Sequence, residues 1–176
     1  YSFFRKNAEK VRQAMQKEGI DVMILTHQQK YSYVAGTYHN DFNLGNCLFV
    51  WAKEEPTLLV SLAEMGRLMT EGYVRDIRYW MPAYAGIEPV GFLDTAVRIL
   101  KERECHNKVI AVEMPSIAYL MYDHLLKNLP DATFVDGERM INTVMMRKDE
   151  EELELIRRAC AIADAGTRKI IENARV

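Results

Sequence analysis

Apolar positions in this chain switch repeatedly between helical spacing and short continuous runs. In residues 2–18, Phe4, Ala8, Val11 and Met15 recur at helical spacing, and Gly19 follows as a C-cap. Asp21-Val22-Met23-Ile24-Leu25-Thr26 is short, apolar and bounded by turn residues, which predicts a buried strand. Residues 31–36 predict a short helical turn or an irregular segment. Residues 37–46, with Asn40, Asp41, Asn43, Gly45 and Asn46, predict a loop. Residues 47–52 and 57–61 predict two strands, and Lys53-Glu54-Glu55-Pro56 between them fits a hairpin with a longer turn.

The second half repeats the alternation. Residues 63–71 predict a helix ending at Gly72, residues 74–80 a strand, and residues 81–88, with Pro82 and Gly86, a loop. Residues 91–104 predict a helix with Phe92, Ala96, Val97 and Leu100 on one face. Residues 108–113 predict another apolar strand, and Pro115 suits the first turn of a helix reaching about residue 128. A short strand at 133–135 and a helix at 137–144 follow. The last helix opens with Asp149 as N-cap and Glu152 three residues on, a capping box in which each side chain satisfies a free backbone N–H. Strands alternating with helices, plus one hairpin, predict an α/β domain with a mixed sheet. Val22, Ile24, Leu48, Val50, Leu58, Val60, Ile110 and Val112 are its expected buried strand residues.

Composition narrows the function classes. With 176 residues and 49% apolar content, the chain can bury one real core. A net charge of −2 gives no electrostatic case for nucleic acid or an anionic membrane as partner. The longest apolar runs, around Val22 and Cys47, are far too short to span a bilayer. Arg5, Lys6 and Glu9 precede no apolar segment of the kind a signal peptide needs. Cys47, Cys105 and Cys160 are isolated and show no metal spacing, which fits small apolar residues in a reducing compartment. The cytoplasm is the expected location. The sequence starts at Tyr1 and stops at Val176, soon after the helix that opens at Asp149. The expectation is a piece of a longer protein, cut after a connecting helix.

Candidate chemistry is sparse. His27, His39, His106 and His124 do not pair at metal-ligand spacing, and no zinc-peptidase, paired-cysteine, nucleophile-elbow or phosphate-loop motif is present. The acidic run from Asp149 reads as a solvated helix start favoured by the helix dipole. The scattered methionines read as core packing. One stretch stands apart: Tyr38-His39-Asn40-Asp41-Phe42-Asn43 packs two aromatic rings, a histidine and a carboxylate into one loop. Either the rings anchor the loop onto the core, or the loop faces a ligand or another subunit.

These residues, taken in order, resemble the N-terminal domain of the creatinase/prolidase family, the two-domain hydrolases that include Xaa-Pro aminopeptidases and dipeptidases. The resemblance starts with the helix carrying Arg5 and with Gly19-Ile20-Asp21 leading into the first strand. It continues through Tyr33-Val34-Ala35-Gly36, the strand Val109-Ile110-Ala111-Val112-Glu113 and the segment Ala132-Thr133-Phe134-Val135-Asp136. It ends on Lys148-Asp149-Glu150-Glu151-Glu152 and Ile156-Arg157-Arg158-Ala159, which look like the linker lysine and the first helix of the catalytic domain.

The resemblance implies a mixed sheet flanked by helices, ribonuclease H-like, over residues 1–147. Residues 148–176 would then be the linker and first helix of a truncated pita-bread catalytic domain. No catalytic residue and no metal ligand carries over to this chain. Two divalent ions (Mn, Co or Zn) are expected in the missing domain. The implied partners are the chain's own C-terminal catalytic domain, a second copy in a homodimer, and a small peptide or amide substrate. By position, Tyr38, His39, Asp41 and Phe42 are the candidate substrate-binding residues, possible also in trans. The family's creatine-hydrolysing members place an aromatic residue and an arginine here. Phe42 is present, but residues 37–46 hold no arginine, which counts against creatine. Met145 stands where many relatives carry an arginine before the linker lysine. Two other readings stay open: a metal-free relative acting as a binding module, and an unrelated α/β small-molecule-binding domain.

Overall fold

In chain order, the first helix α1 (Ser2–Lys17) leads into β1 (Val22–Leu25), α2 (Gln28–Ala35), β2 (Cys47–Trp51) and β3 (Thr57–Ser61). Then come α3 (Leu62–Glu71), β4 (Asp76–Trp80), α4 (Phe92–Glu102), a 3-10 turn (Cys105–Asn107) and β5 (Val109–Val112). The chain finishes with α5 (Tyr119–Asn128), β6 (Thr133–Asp136), α6 (Glu138–Met146) and α7 (Glu150–Asn173). The computed structural model describes residues 2–37, 45–81 and 90–174.

The six strands form one sheet in the order β4-β3-β2-β1-β5-β6. β1, β5 and β6 are mutually parallel, as are β3 and β4. β2 is antiparallel to both its neighbours, pairing Leu25 with Leu48 and Cys47 with Leu59. It is therefore the single strand running against the rest, and the sheet is mixed as the alternation of elements predicts. Every residue of β1, β2 and β3 is buried, so helices must cover both faces. On one face Val22, Ile24, Phe49, Trp51, Ile110 and Val112 pack with α4 and α5 through Leu100 and Leu125. Their alternating neighbours Met23, Leu25, Leu48, Val50, Leu58 and Val60 are equally buried and point the other way, towards α1, α2 and α3. All eight expected core residues are buried without exception.

Local signals explain the element ends. α1 buries Asn7, Ala8, Val11 and Met15 and stops before Gly19, whose φ of 67° lets Ile20 N–H return to the Met15 carbonyl at 2.9 Å. α2 ends on Gly36 at φ 71°, where an added Cβ would lie 2.5 Å from the Phe4 ring. No side chain but hydrogen fits there.

Three elements start two or more residues away from expectation. α2 starts at Gln28, three residues before the expected helical turn, because a glutamate distant in sequence caps its N-terminus (below). β4 starts at Asp76 rather than at residue 74. α5 starts at Tyr119, not at Pro115. The N–H groups of Ser116 and Ile117 both turn back to the Glu113 carbonyl at 2.8 Å, so Pro115 sits in a turn that precedes the helix.

The described chain divides into two compact units, Tyr1–Val144 and Met145–Val176. Taken alone, the second is α7 with its approach. Asp149 and Glu152 form the reciprocal capping box, with N–H to carboxylate distances of 3.0 and 3.1 Å.

Candidate functional site

Five of the six strands point their carboxyl ends to one edge of the sheet, and β2 begins there. Open α/β sheets place ligands outside that edge. In this chain the edge carries a polar cluster.

Glu113 follows directly after β5 and is fully buried. One carboxylate oxygen accepts from the Thr26 N–H, from the His27 N–H at 2.9 Å and from the Thr26 hydroxyl at 3.3 Å. His27 is the N-cap of α2 and makes no side-chain cap of its own. The Glu113 carboxylate therefore occupies the N-terminus of α2, where the helix dipole favours negative charge. Its other oxygen lies 3.1 Å from Lys30 Nζ, an ion pair rather than an aligned hydrogen bond. Lys30, in the first turn of α2 and 7% exposed, also donates to both oxygens of Glu138 at 2.6 Å. Glu138 opens α6 and accepts a further bond from Asn142 at 2.8 Å.

Two carboxyl groups thus share one ammonium across β5, α2 and α6. Burial pulls the Lys30 pKa down, but the hydrogen bonds to Glu138 and the close carboxylate of Glu113 outweigh it and leave it above the ordinary lysine value. The hydrogen bond from Lys30 holds Glu138 below the usual carboxylate range. At this edge of the sheet the three charges are thus paired with one another. The cluster can hold elements in place, but it offers no free nucleophile or base.

The same edge carries one flank of the candidate loop. Trp80 Nε1 donates to the Gly45 carbonyl at 2.5 Å, and Asn46 Oδ1 accepts from Ser61 N–H at 3.2 Å. The Phe92 ring packs at Gly45 and lies 5.9 Å from Trp80 in an edge-on contact. On the other flank Thr37 is buried against Gly72. Tyr38, His39, Asp41 and Phe42 themselves lie outside the described residues.

A second concavity, an open cleft of about 540 Å³, runs beside β4 between Met65, Tyr79, Thr95 and Arg98. Its Arg78 is paired with Asp76 at 2.6 Å and with Glu102 at 3.3 Å, so that charge is already matched, and its Asp94 lies 3.0 Å from His124 Nε2. Among the described residues no three His, Cys, Asp or Glu side chains gather to hold a metal ion. Nor is any helix among them long and apolar enough to cross a membrane.

Lys30, Glu113 and Glu138 are the residues that sequence reasoning missed. Glu113 was visible only as an acidic end to an apolar run. Lys30 and Glu138 are 108 residues apart and carry no spacing signal.

Comparison with known proteins agrees with this geometry. The family described as Creatinase/Prolidase N-terminal domain matches residues 8–146. Ectoine hydrolase from Halomonas elongata is 27% identical, over 93% of this chain and 42% of that protein. Creatinase from a Bacillus species is 23% identical, over 97% of this chain and 40% of that protein. The solved Xaa-Pro dipeptidase from Bacillus anthracis superposes with a TM-score of 0.74 at 19% identity, over 98% of this chain and 44% of the other, a likeness of fold. The chain spans less than half the length of each of these relatives. With the family matched over most of the chain and the sheet in place, this protein belongs to the creatinase/prolidase N-terminal domain family.

Proposed function

We propose that this chain is the non-catalytic N-terminal domain of a metal-dependent hydrolase that cleaves Xaa-Pro peptides or a similar small amide. Its work is to shape the substrate site and to support a homodimer. The observation that carries the reading is the family match over residues 8–146 in a chain that spans 42% of the ectoine hydrolase relative. A separate domain in the parent protein supplies the chemistry: attack of a metal-activated hydroxide on an amide or C–N bond. Its metal ligands lie outside this sequence. The cytoplasm is the proposed location.

The contribution of this chain to substrate choice is assigned to Tyr38, His39, Asp41 and Phe42. Two rings and two polar groups suit a wall and contacts for a small polar substrate, and Gly45 and Asn46 anchor the following residues at the ligand-binding edge of the sheet. The missing arginine in residues 37–46 counts against creatine. Steady-state kinetics of His39→Ala and Phe42→Ala in the full-length parent test this. The expected change in kcat/KM between similar substrates corresponds to about 1–3 kcal/mol. Unchanged kcat/KM in both variants, across Xaa-Pro dipeptides and ectoine, leaves only rings that hold a surface loop. The second reading, a metal-free relative acting as a binding module, is favoured if the parent binds such compounds without turning them over.

A further inference from the structure

α3 buries a single residue, Leu68, whereas α4 buries five. A second apolar face of α3 lies open. Leu62, Met65 and Met69 recur at i, i+3 and i+7; Leu62 and Met69 are exposed and Met65 is half-buried. Gly66 shares that face, and a Cβ placed on it would have no neighbour within 4 Å. A glycine inside a helix costs stability relative to alanine, and what it offers in return is close approach of another backbone.

This face adjoins β4, which forms one edge of the sheet. An edge strand turns one row of its N–H and C=O groups away from its neighbour, open to any strand that can pair with it. Beyond β3, the pairing given for this stretch among the described residues is the Met81–Val90 bridge just past the end of β4. Trp80 packs on the α4 side of the sheet, so its alternating neighbours Ile77 and Tyr79 point to the α3 side. The open cleft of about 540 Å³ therefore straddles the edge, with Met65, Ile77 and Tyr79 on one side and Asp94 and Arg98 of α4 on the other. Asp94 and Arg98 are exposed, lie one helical turn apart and carry opposite charges. Arg98 pairs with no carboxylate among the described residues.

We propose that this edge is an interface between two copies of the chain: β4 pairs antiparallel with β4 of a second copy about a two-fold axis perpendicular to the sheet. Such an axis brings the same patch from both sides. It sets α3 antiparallel beside its copy, with room at Gly66. It sets α4 antiparallel beside its copy on the other face, so that Asp94 of each copy meets Arg98 of the other. The choice of a second copy as partner rests on the homodimer reading above and on this reversed pair of charges.

Sedimentation equilibrium of this chain tests it, with Arg98→Glu, Asp94→Lys, the double variant and Met69→Glu beside wild type. Wild type should dimerise. Each single substitution should weaken the dimer about tenfold or more, and the double variant should return to within about threefold of wild type. A chain still monomeric at about 1 mM overturns the interface. So do single variants that dimerise as wild type does, or a double variant as weak as the singles. Ile162→Ser is the control on α7: dissociation by that change, with the β4 and α3 variants unaffected, assigns the dimer to α7 and overturns the proposal. Should a variant fail to fold, amide exchange of wild type decides. Residues 76–80 should exchange about tenfold faster on dilution from dimer to monomer, while β1 and β5 keep their protection. No concentration dependence at 76–80 overturns the interface. A monomeric chain leaves the hydrolase reading untouched, whereas a dimeric parent that turns over no dipeptide refutes that reading and leaves the interface standing.

Discussion

α1 and α7 are both amphipathic helices, but burial treats them differently. α1 has 16 residues and places Asn7, Ala8, Val11 and Met15 in the core. α7 has 24 residues and buries only Glu152. Leu155, Ile156, Ile162, Ile170 and Ile171 of α7 are all exposed, Ile162 at 73%. α1 and the sheet are written by burial. α7 is written by local chemistry: a capping box, acidic residues in its first turn, and an Arg157–Glu150 ion pair at 2.6 Å. A helix can thus be encoded by the capping and charge chemistry of its own residues.

Substitutions at the two extremes sharpen the contrast. Ile110→Ala, on a fully buried central strand, should cost about 2–5 kcal/mol in urea unfolding. A loss of a few tenths would remove the claim that β5 is core. Glu138→Gln should cost less, about 1.5 kcal/mol, because Glu138 keeps partial access to water.

That second effect carries a pH signature. The folded pKa of Glu138 is depressed, so its stabilisation is present above the unfolded value of 4.5 and is lost as pH falls through the folded value. The folded pKa of Lys30 is raised, so its share is complete below 10.5 and is lost as pH climbs through the higher folded value. Urea curves at pH 7 and pH 3 should therefore show the gap between wild type and Glu138→Gln narrowing in acid. A gap that is constant with pH would mean that the Lys30 bond contributes nothing.

Smaller effects belong to α7. Asp149→Ala should weaken its first turn by about 1 kcal/mol, read as faster amide exchange near the helix start with the sheet unchanged. Ile162→Ser should change the stability of this chain by less than about 0.5 kcal/mol. A larger loss at Ile162 would break the comparison between the two helices.

The alternation of elements was legible because burial on both sheet faces leaves unbroken apolar runs such as Cys47–Trp51. The capping box was legible because its two residues are three apart. The start of α2 was not, since its cap comes from Glu113, far along the chain. Pro115 misled because a proline suits a turn as well as a helix start, and the Glu113 carbonyl claimed the next two N–H groups. The Lys30 cluster was invisible for the same reason as α2: three elements bring it together only after the sheet has formed. Tyr38, His39, Asp41 and Phe42 were singled out from side-chain chemistry and from their place after Tyr33-Val34-Ala35-Gly36, and they lie outside the described residues.

The most direct test of the central proposal is a side-by-side assay of this 176-residue chain and its full-length parent. Each is given Xaa-Pro dipeptides with Mn²⁺, Co²⁺ or Zn²⁺, before and after chelation. Metal-dependent hydrolysis by the parent, abolished by the chelator, and none by the chain, is the expected result. Metal-stimulated cleavage by the pure chain, or a parent whose hydrolysis is indifferent to chelation, would contradict it.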